Sequence, residues 1–147
     1  MKVLLSGHLG YIGTVMAPML LKAGHQVVGI DSDLYRRCTF AAGGQIVDVP
    51  TIRKDMRDLT PGDVEGFDGA IHLAALSNDP LSDLNADLTY AINHRASVRF
   101  AELAKAAGVK RFVFASSCSN YGKSGDAMID ETGELSPVTA YGQSKVW

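Results

Sequence analysis

Val3-Leu4-Leu5-Ser6-Gly7-His8-Leu9-Gly10-Tyr11-Ile12-Gly13 decides the fold. An apolar run of strand length ends in a glycine-spaced turn, and a helical pattern opens directly after it. A chain leaving a strand in this way must turn sharply while an anionic group approaches its backbone at the helix N-terminus. Glycine permits both, through positive φ at the turn and through the missing Cβ. The helix dipole and its unpaired N–H groups then favour the anion. Taken alone, the spacing also fits a plain tight βα turn. The next strand, Gln26–Asp31, separates the two readings. Asp31 closes it about 20 residues after the loop begins, where a carboxylate accepts hydrogen bonds from a ribose 2′-hydroxyl. Gly7, Gly10, Tyr11, Ile12, Gly13 and Asp31 are therefore expected to hold a dinucleotide. A carboxylate there repels a 2′-phosphate, which favours NAD; Arg36 and Arg37 keep NADP as the alternative. Asp31-Ser32-Asp33 also reads as ordinary turn chemistry.

Outward from this point, apolar runs alternate with longer helical patterns, as in a parallel sheet with crossover helices. Strands are expected at Lys2–Ser6, Gln26–Asp31, 51–54, 69–74 and 111–116. Helices are expected over 11–23, closed by Gly24, over 84–107, closed by Gly108, and from Thr139 onward. A loop with Gly43 and Gly44 at its turn follows the second strand. Right-handed crossovers and a reversal after the third strand give a Rossmann-type doubly wound sheet in the order 3-2-1-4-5. In the long helix, Arg95, Arg99, Glu102 and Lys105 form one polar stripe, while Leu88, Ala91, Ile92, Ala96, Val98, Phe100, Ala101, Leu103 and Ala104 cover most of the rest. A helix on one sheet face needs a single apolar stripe. The excess points to a second contact, with a helix or a partner subunit, or to alanine-rich faces tolerated in water.

The 147 residues are one domain by size, 46% hydrophobic and 20% charged. A net charge of -2 and a pI near 6.0 give no reason to expect nucleic acid or an anionic membrane. Two cysteines, Cys38 and Cys118, make no disulfide framework, and the expectation is a cytoplasmic protein. The N-terminus reads as neither a signal peptide nor a membrane span. His25 and His94 share no spacing with other ligand types, so no metal site is expected.

Near the other end stands Tyr141-Gly142-Gln143-Ser144-Lys145. Tyrosine and lysine at i and i+4 share one helix face. A free tyrosine is a poor base at neutral pH, with a pKa of about 10. A nearby ammonium, together with a positive nicotinamide ring, stabilises tyrosinate. The simpler reading of Tyr-x-x-x-Lys is an exposed helix face. Ser116-Ser117-Cys118-Ser119 sits at the C-terminal end of the fifth strand, where parallel sheets place their ligands, and a hydroxyl there can hydrogen-bond a reacting oxygen.

Assembled in order, these residues resemble the extended short-chain dehydrogenase/reductases, within them the NAD-dependent nucleotide-sugar epimerase/dehydratase family. The resemblance rests on Gly7-x-x-Gly10-x-x-Gly13, Asp31, Asp55-Met56-Arg57-Asp58, His72-Leu73-Ala74-Ala75, Asn93, Ser116-Ser117-x-Ser119-x-Tyr121-Gly122 and Pro137-x-x-x-Tyr141-x-x-x-Lys145. It implies that Asp55 and Met56 contact the adenine. Leu73, Ala74 and Ala75 would line the cofactor channel, and Asn93 would help hold the dinucleotide. It further implies that Ser117 polarises the substrate oxygen, Tyr141 moves the proton, and Lys145 binds the nicotinamide ribose and tunes Tyr141. The implied reaction is reversible oxidation of a sugar secondary alcohol on a nucleotide-diphosphate sugar, completed as an epimerisation. A reductase or dehydrogenase of the same family is the alternative, and a dinucleotide-binding module without catalysis is another.

Dehydratases of the family carry an Asp-Glu pair where this chain has Cys118 and Ser119, which argues against dehydration. Related epimerase-reductases place a catalytic cysteine at the position of Ser119; Cys118 is one residue away and is expected to be a buried structural thiol. His72 is expected to be a satisfied core histidine, and His8 either to touch the cofactor or to face solvent. Ser77-Asn78-Asp79-Pro80 opens a loop that either faces substrate or merely turns into a helix. The family sheet continues past the fifth strand, so a C-terminal substrate domain is expected to be absent from this chain. The last helix would then fray, and the fifth strand would be an open edge able to pair with a second copy in a homodimer. Dinucleotide binding is expected, with poor turnover.

Overall fold

The computed structural model describes residues 1–36, 46–122 and 128–147. Arg37, Cys38 and the Gly43-Gly44 turn lie outside the described residues. The chain folds as two compact units, Met1–Ala74 with Val98–Ala115 and Ala75–Ser97 with Ser116–Trp147.

The first unit is built on a five-stranded sheet of β1 (Lys2–Ser6), β2 (Gln26–Asp31), β3 (Thr51–Arg53), β4 (Gly69–His72) and β5 (Arg111–Phe114). Its order is β3-β2-β1-β4-β5, and every neighbouring pair is parallel. The central strand β1 buries Val3, Leu4, Leu5 and Ser6, as a near-continuous apolar run does when both sheet faces are covered. Helix α1 (Tyr11–Lys22) contributes Ala17 to a cluster with Leu5, Val27 and Val49, against which Met16, Leu20, Ile71 and Leu73 pack. Buried His72 and Phe100 form a second set with half-buried Phe112, with Phe100 edge-on to both rings at 5.2 Å. Ser6 Oγ lies 2.6 Å from His72 Nδ1, so His72 is the satisfied core histidine its apolar setting implies.

Both glycine stops work as read. Gly24 and Gly108 have φ of +83° and +78°. In each case the following N–H reaches back to a helix carbonyl, His25 to Leu20 at 3.1 Å and Val109 to Ala104 at 3.0 Å. These are the bonds of a Schellman cap.

Three boundaries differ from expectation. Strand β4 ends at His72 rather than 74: Leu73 N–H is shared between Ser6 O and Ser6 Oγ, both at 3.2 Å, and Ala74 N–H turns to Ser6 Oγ at 3.3 Å. Strand β5 ends at Phe114 rather than 116. Ala115 N–H makes one more bond to His72, and Ser117 then caps a 3-10 turn, Cys118–Tyr121. The single helix expected over 84–107 is helical from Ala86 to Ala106 in three contiguous segments, and a separate short helix precedes it. Asn78 caps α2 (Asp79–Leu84) by accepting from Leu81 N–H. Asn85, at φ −151° and ψ 90°, leaves the helical region and caps α3 (Ala86–Thr89) through Leu88 N–H. A π-helical segment, Tyr90–Arg95, follows and leads into α4 (Ala96–Ala106). Local side-chain acceptors win over continuous helix at both asparagines. The polar stripe Arg95, Arg99, Glu102 and Lys105 is exposed as read, and Phe100 is buried.

The second unit holds α2, α3, the π-helical segment, the Cys118–Tyr121 turn and α5 (Ala140–Val146). Thr139 caps α5, as its sequence position implies.

Candidate active site

The glycine loop is closed by its own backbone. At Gly7, with φ of +73°, a Cβ would lie 2.8 Å from Ala74 N; at Gly13 it would lie 2.2 Å from Gly7 O. Gly10 caps α1 without a side-chain hydrogen bond, and the first helical turn carries no acidic residue. Tyr11 and Ile12 face outward. A helix start with no carboxylate ahead of its amides suits a diphosphate. Asp31 Oδ2 accepts from Leu9 N–H at 3.1 Å, and Oδ1 from Asp33 N–H at 2.8 Å. Each oxygen keeps a second lone pair for a ribose hydroxyl, while the same carboxylate ties the loop to the end of β2. Asp33 in turn takes Arg53 at 3.0 Å and Arg36 at 3.9 Å.

His8 does not face solvent. It is 3% exposed, with Nε2 at 2.9 Å from Thr51 Oγ1, and its ring occupies the space over Gly29, where a Cβ would come within 2.4 Å. Asp55 receives Arg57 through Nε at 3.0 Å and Nη2 at 2.8 Å, and this hydrogen-bonded guanidinium holds its carboxyl below the usual range. Met56 is buried. Leu73, Ala74 and Ala75 are half-buried.

In the second unit, Tyr141 and Lys145 do share a face of α5, with Lys145 Nζ 5.9 Å from the centroid of the Tyr141 ring. This is no solvated helix face, because Tyr141 is half-buried and Lys145 is 8% exposed. Burial pushes the Lys145 ammonium down to about 8. Ser117 stands at the head of the Cys118–Tyr121 turn and accepts from Ser119 N–H at 3.2 Å. Two glycines bring that turn against the tyrosine helix. A Cβ on Gly142 would lie 2.9 Å from Ser119 O, and one on Gly122, with φ of +63°, would lie 2.0 Å from Ser136 O. Ser136 N–H also donates to Asn120 O at 2.9 Å.

The last residues of α5 make contacts that would oppose the expected fraying. Trp147 stacks on Tyr90 at 5.0 Å, and Tyr90 Oη donates to Gln143 Oε1. Asn93 has no exposed surface. Its Oδ1 accepts from Leu76 N–H at 2.8 Å, and its Nδ2 donates to Leu76 O at 3.0 Å and Ser144 Oγ at 3.2 Å. Both amide donors are therefore spent on the protein itself. Cys118 is exposed, correcting the buried thiol expected there: it opens the 3-10 turn, whose buried member is Asn120. Sequence reasoning passed over Ser82, Ser144 and Gly142. Asn78-Asp79-Pro80, a helix cap followed by Pro in the first turn, was the available signal for the helix carrying Ser82. Among the described residues, no three or more His, Cys, Asp or Glu side chains group as a metal site. No helix among them is long and apolar enough to cross a membrane.

Residues 3–147 match the model of the NAD dependent epimerase/dehydratase family. The UDP-glucose 4-epimerase of Streptomyces lividans is 32% identical over 151 residues, covering 99% of this chain and 44% of that protein. The solved UDP-glucose-4-epimerase from Stenotrophomonas maltophila, with bound NAD and formylated UDP-arabinopyranose, matches with a TM-score of 0.86 at 29% identity, over 99% of this chain and 46% of that one. MoeE5 in complex with UDP-glucose and NAD matches at 0.84 and 31% identity over the same shares. The chain thus spans less than half the length of these relatives.

Proposed function

The chain belongs to the NAD-dependent epimerase/dehydratase family, and on that premise we propose that it is the cofactor-binding and acid/base portion of a nucleotide-sugar epimerase. The observation that carries this reading is the packing of the Ser117 turn on the helix of Tyr141 and Lys145. Binding a dinucleotide needs no acid/base tyrosine, so a module without catalysis leaves that packing unexplained.

NAD is the family's dinucleotide, and the closed loop with its uncapped helix start fits a diphosphate. When bound, it supplies the acceptor and later the donor of a hydride. The loop 7–13 would hold the diphosphate, Asp31 the adenosine ribose, and Asp55 the adenine. The Met56 side chain is buried, so its contribution falls to its backbone. Asn93 acts at one remove, by holding the backbone of Leu76 and the hydroxyl of Ser144. Tyr141 takes the proton from the sugar hydroxyl as the alcohol becomes a ketone, and returns it when the ketone is reduced from the opposite face. Ser117 donates a hydrogen bond to the developing carbonyl oxygen. Lys145 sets the ribose and the field around the phenol.

The substrate class is a nucleotide-diphosphate sugar, as in the UDP-sugar complexes of MoeE5 and of the Stenotrophomonas enzyme. Cys118 and Ser119 stand where a dehydratase would carry carboxylates, which favours epimerisation. We place the sugar contacts on a C-terminal domain beyond these residues, in line with the 44% of the Streptomyces relative that is matched. Sparse cysteine usage supports a cytoplasmic setting, and the edge position of β5 supports association of two copies. The test is a panel of UDP-, dTDP-, GDP- and CDP-sugars with NAD and a C-terminally extended form. Epimer formation with no steady change in NADH absorbance is expected, and Tyr141→Phe should abolish it. Net NADH production would assign a dehydrogenase instead, and unchanged turnover by Tyr141→Phe would remove Tyr141 from the mechanism.

A further inference from the structure

Helix α5 has seven residues, one of them Gly142, and a helix so short does not hold its shape unaided. Its first amides need acceptors from elsewhere. Three are supplied. Thr139 Oγ1 accepts from Gly142 N–H at 3.0 Å, Ser82 Oγ from Tyr141 N–H at 3.1 Å, and Asp83 Oδ1 from Ala140 N–H at 3.1 Å. Two of these acceptors lie on α2, and a third α2 side chain anchors the cap: Thr139 Oγ1 donates to Asp79 Oδ1 at 2.5 Å.

The support is itself rigid. Ser82 has no exposed surface, and its hydroxyl proton is committed to Asp79 O at 2.7 Å, which leaves a lone pair aimed at the Tyr141 amide. Thr89 Oγ1 donates to Ser82 O at 2.9 Å. On the far side, Ser144 Oγ donates to Tyr141 O at 2.7 Å. The backbone of Tyr141 is thus gripped at both its N–H and its C=O.

We infer that α2 is the support that aims the acid/base tyrosine, with Ser82, Asp83 and Asp79 acting as positioning residues through the backbone of α5. The inference rests on the proton-transfer role proposed for Tyr141. None of the three touches the reacting atoms; each sets where the phenol stands. Ser77-Asn78-Asp79-Pro80, which reads from sequence as a substrate-facing loop or a simple turn, is on this account the root of that support.

Two measurements separate the inference from the proposed function. Hydrogen exchange of the Ala140 and Tyr141 amides can be read in the unsubstituted chain and in Ser82→Ala, Asp83→Ala and Asp83→Asn. Removing either acceptor should speed exchange of the amide it holds by about fivefold to tenfold, the loss expected of one cap, while α1 amides stay unchanged. Asp83→Asn, which keeps an oxygen acceptor, should exchange like the parent. In the extended enzyme, Ser82→Ala and Asp83→Ala should lower kcat by about tenfold to a hundredfold, with KM for the sugar and affinity for NAD within twofold, and Asp83→Asn should recover kcat. Parent-like exchange in Ser82→Ala and Asp83→Ala, or unchanged kcat in an active enzyme, would overturn the inference. Absence of turnover in the unsubstituted enzyme would count against the epimerase reading alone, and the exchange data would still decide the matter. Ser82 is buried and its variant risks general destabilisation; the exposed Asp83 keeps the test valid if that variant fails to fold.

Discussion

Asp31 would do two things with one carboxylate: it braces the glycine loop through Leu9 N–H, and on the proposed function its remaining lone pairs take a ribose. Asp31→Ala should therefore weaken NAD more than loss of one ribose contact would, and should also relax discrimination against NADP. Asp31→Asn, which retains an acceptor for the loop, should lie between the two. Calorimetric titration of the three proteins with both dinucleotides checks this, and equal losses in Ala and Asn would remove the bracing role. Lys145 carries a different signature. Its folded pKa of about 8 lies below the 10.5 of a free lysine, so the fold disfavours the charged form. The penalty is full below pH 8, shrinks between 8 and 10.5 as the folded state sheds its proton first, and vanishes above. The difference between the two values amounts to at most about 3.5 kcal/mol. Without dinucleotide, Lys145→Met should be the more stable protein at pH 7 in denaturant melts, and the gap should close toward pH 10. A gap independent of pH would show that burial of the ammonium is not its cause.

At the scale of elements, the strands and their order were legible because apolar runs, Gly7 and Asp31 all mark the same turns. Strand ends were not. Ser6 Oγ accepts from the amides of Leu73 and Ala74, a long-range competition that no local pattern displays. The helix expected over 84–107 is helical from Ala86 to Ala106, with a π-helical segment inside it, and its start is displaced for a nearer reason. Apolar periodicity runs straight across Asn85, yet its side chain caps a new helix there. The same chemistry at Asn78, reinforced by Pro80, bears out the turn into a helix that was one of two readings of that stretch. Tyr141, Lys145 and Ser117 were legible as residue types in order along the chain. Their support was not, because Ser82 reaches Tyr141 across 59 positions of sequence and carries no mark of its own. Cys118 misled by its type: cysteines are commonly buried, but the first position of a short turn overrides that tendency.

For the molecule as a whole, the residues proposed to hold the dinucleotide belong to the first unit, save for Ala75 and those of α5, while those proposed for proton transfer belong to the second. Both kinds of chemistry are carried by a chain matching less than half of the Streptomyces relative. Residues 1–147 alone should bind NAD in a calorimeter. Their epimerisation of any nucleotide sugar should fall at least about a hundredfold below that of an extended form, because holding a sugar in near-attack geometry supplies a large share of catalysis. Comparable turnover by the two forms would mean that the sugar contacts lie within these residues.

The imidazole seated over Gly29 has an evolutionary consequence. A Cβ at position 29 would stand 2.4 Å from the ring of His8, so position 29 cannot gain a side chain while the histidine stays. A lineage that gains a side chain at 29 must first surrender the histidine, and one that loses the histidine leaves a hollow that a larger residue at 29 can fill. Positions 8 and 29, 21 apart in sequence and adjacent in space, should change in that order, the histidine first and position 29 after it.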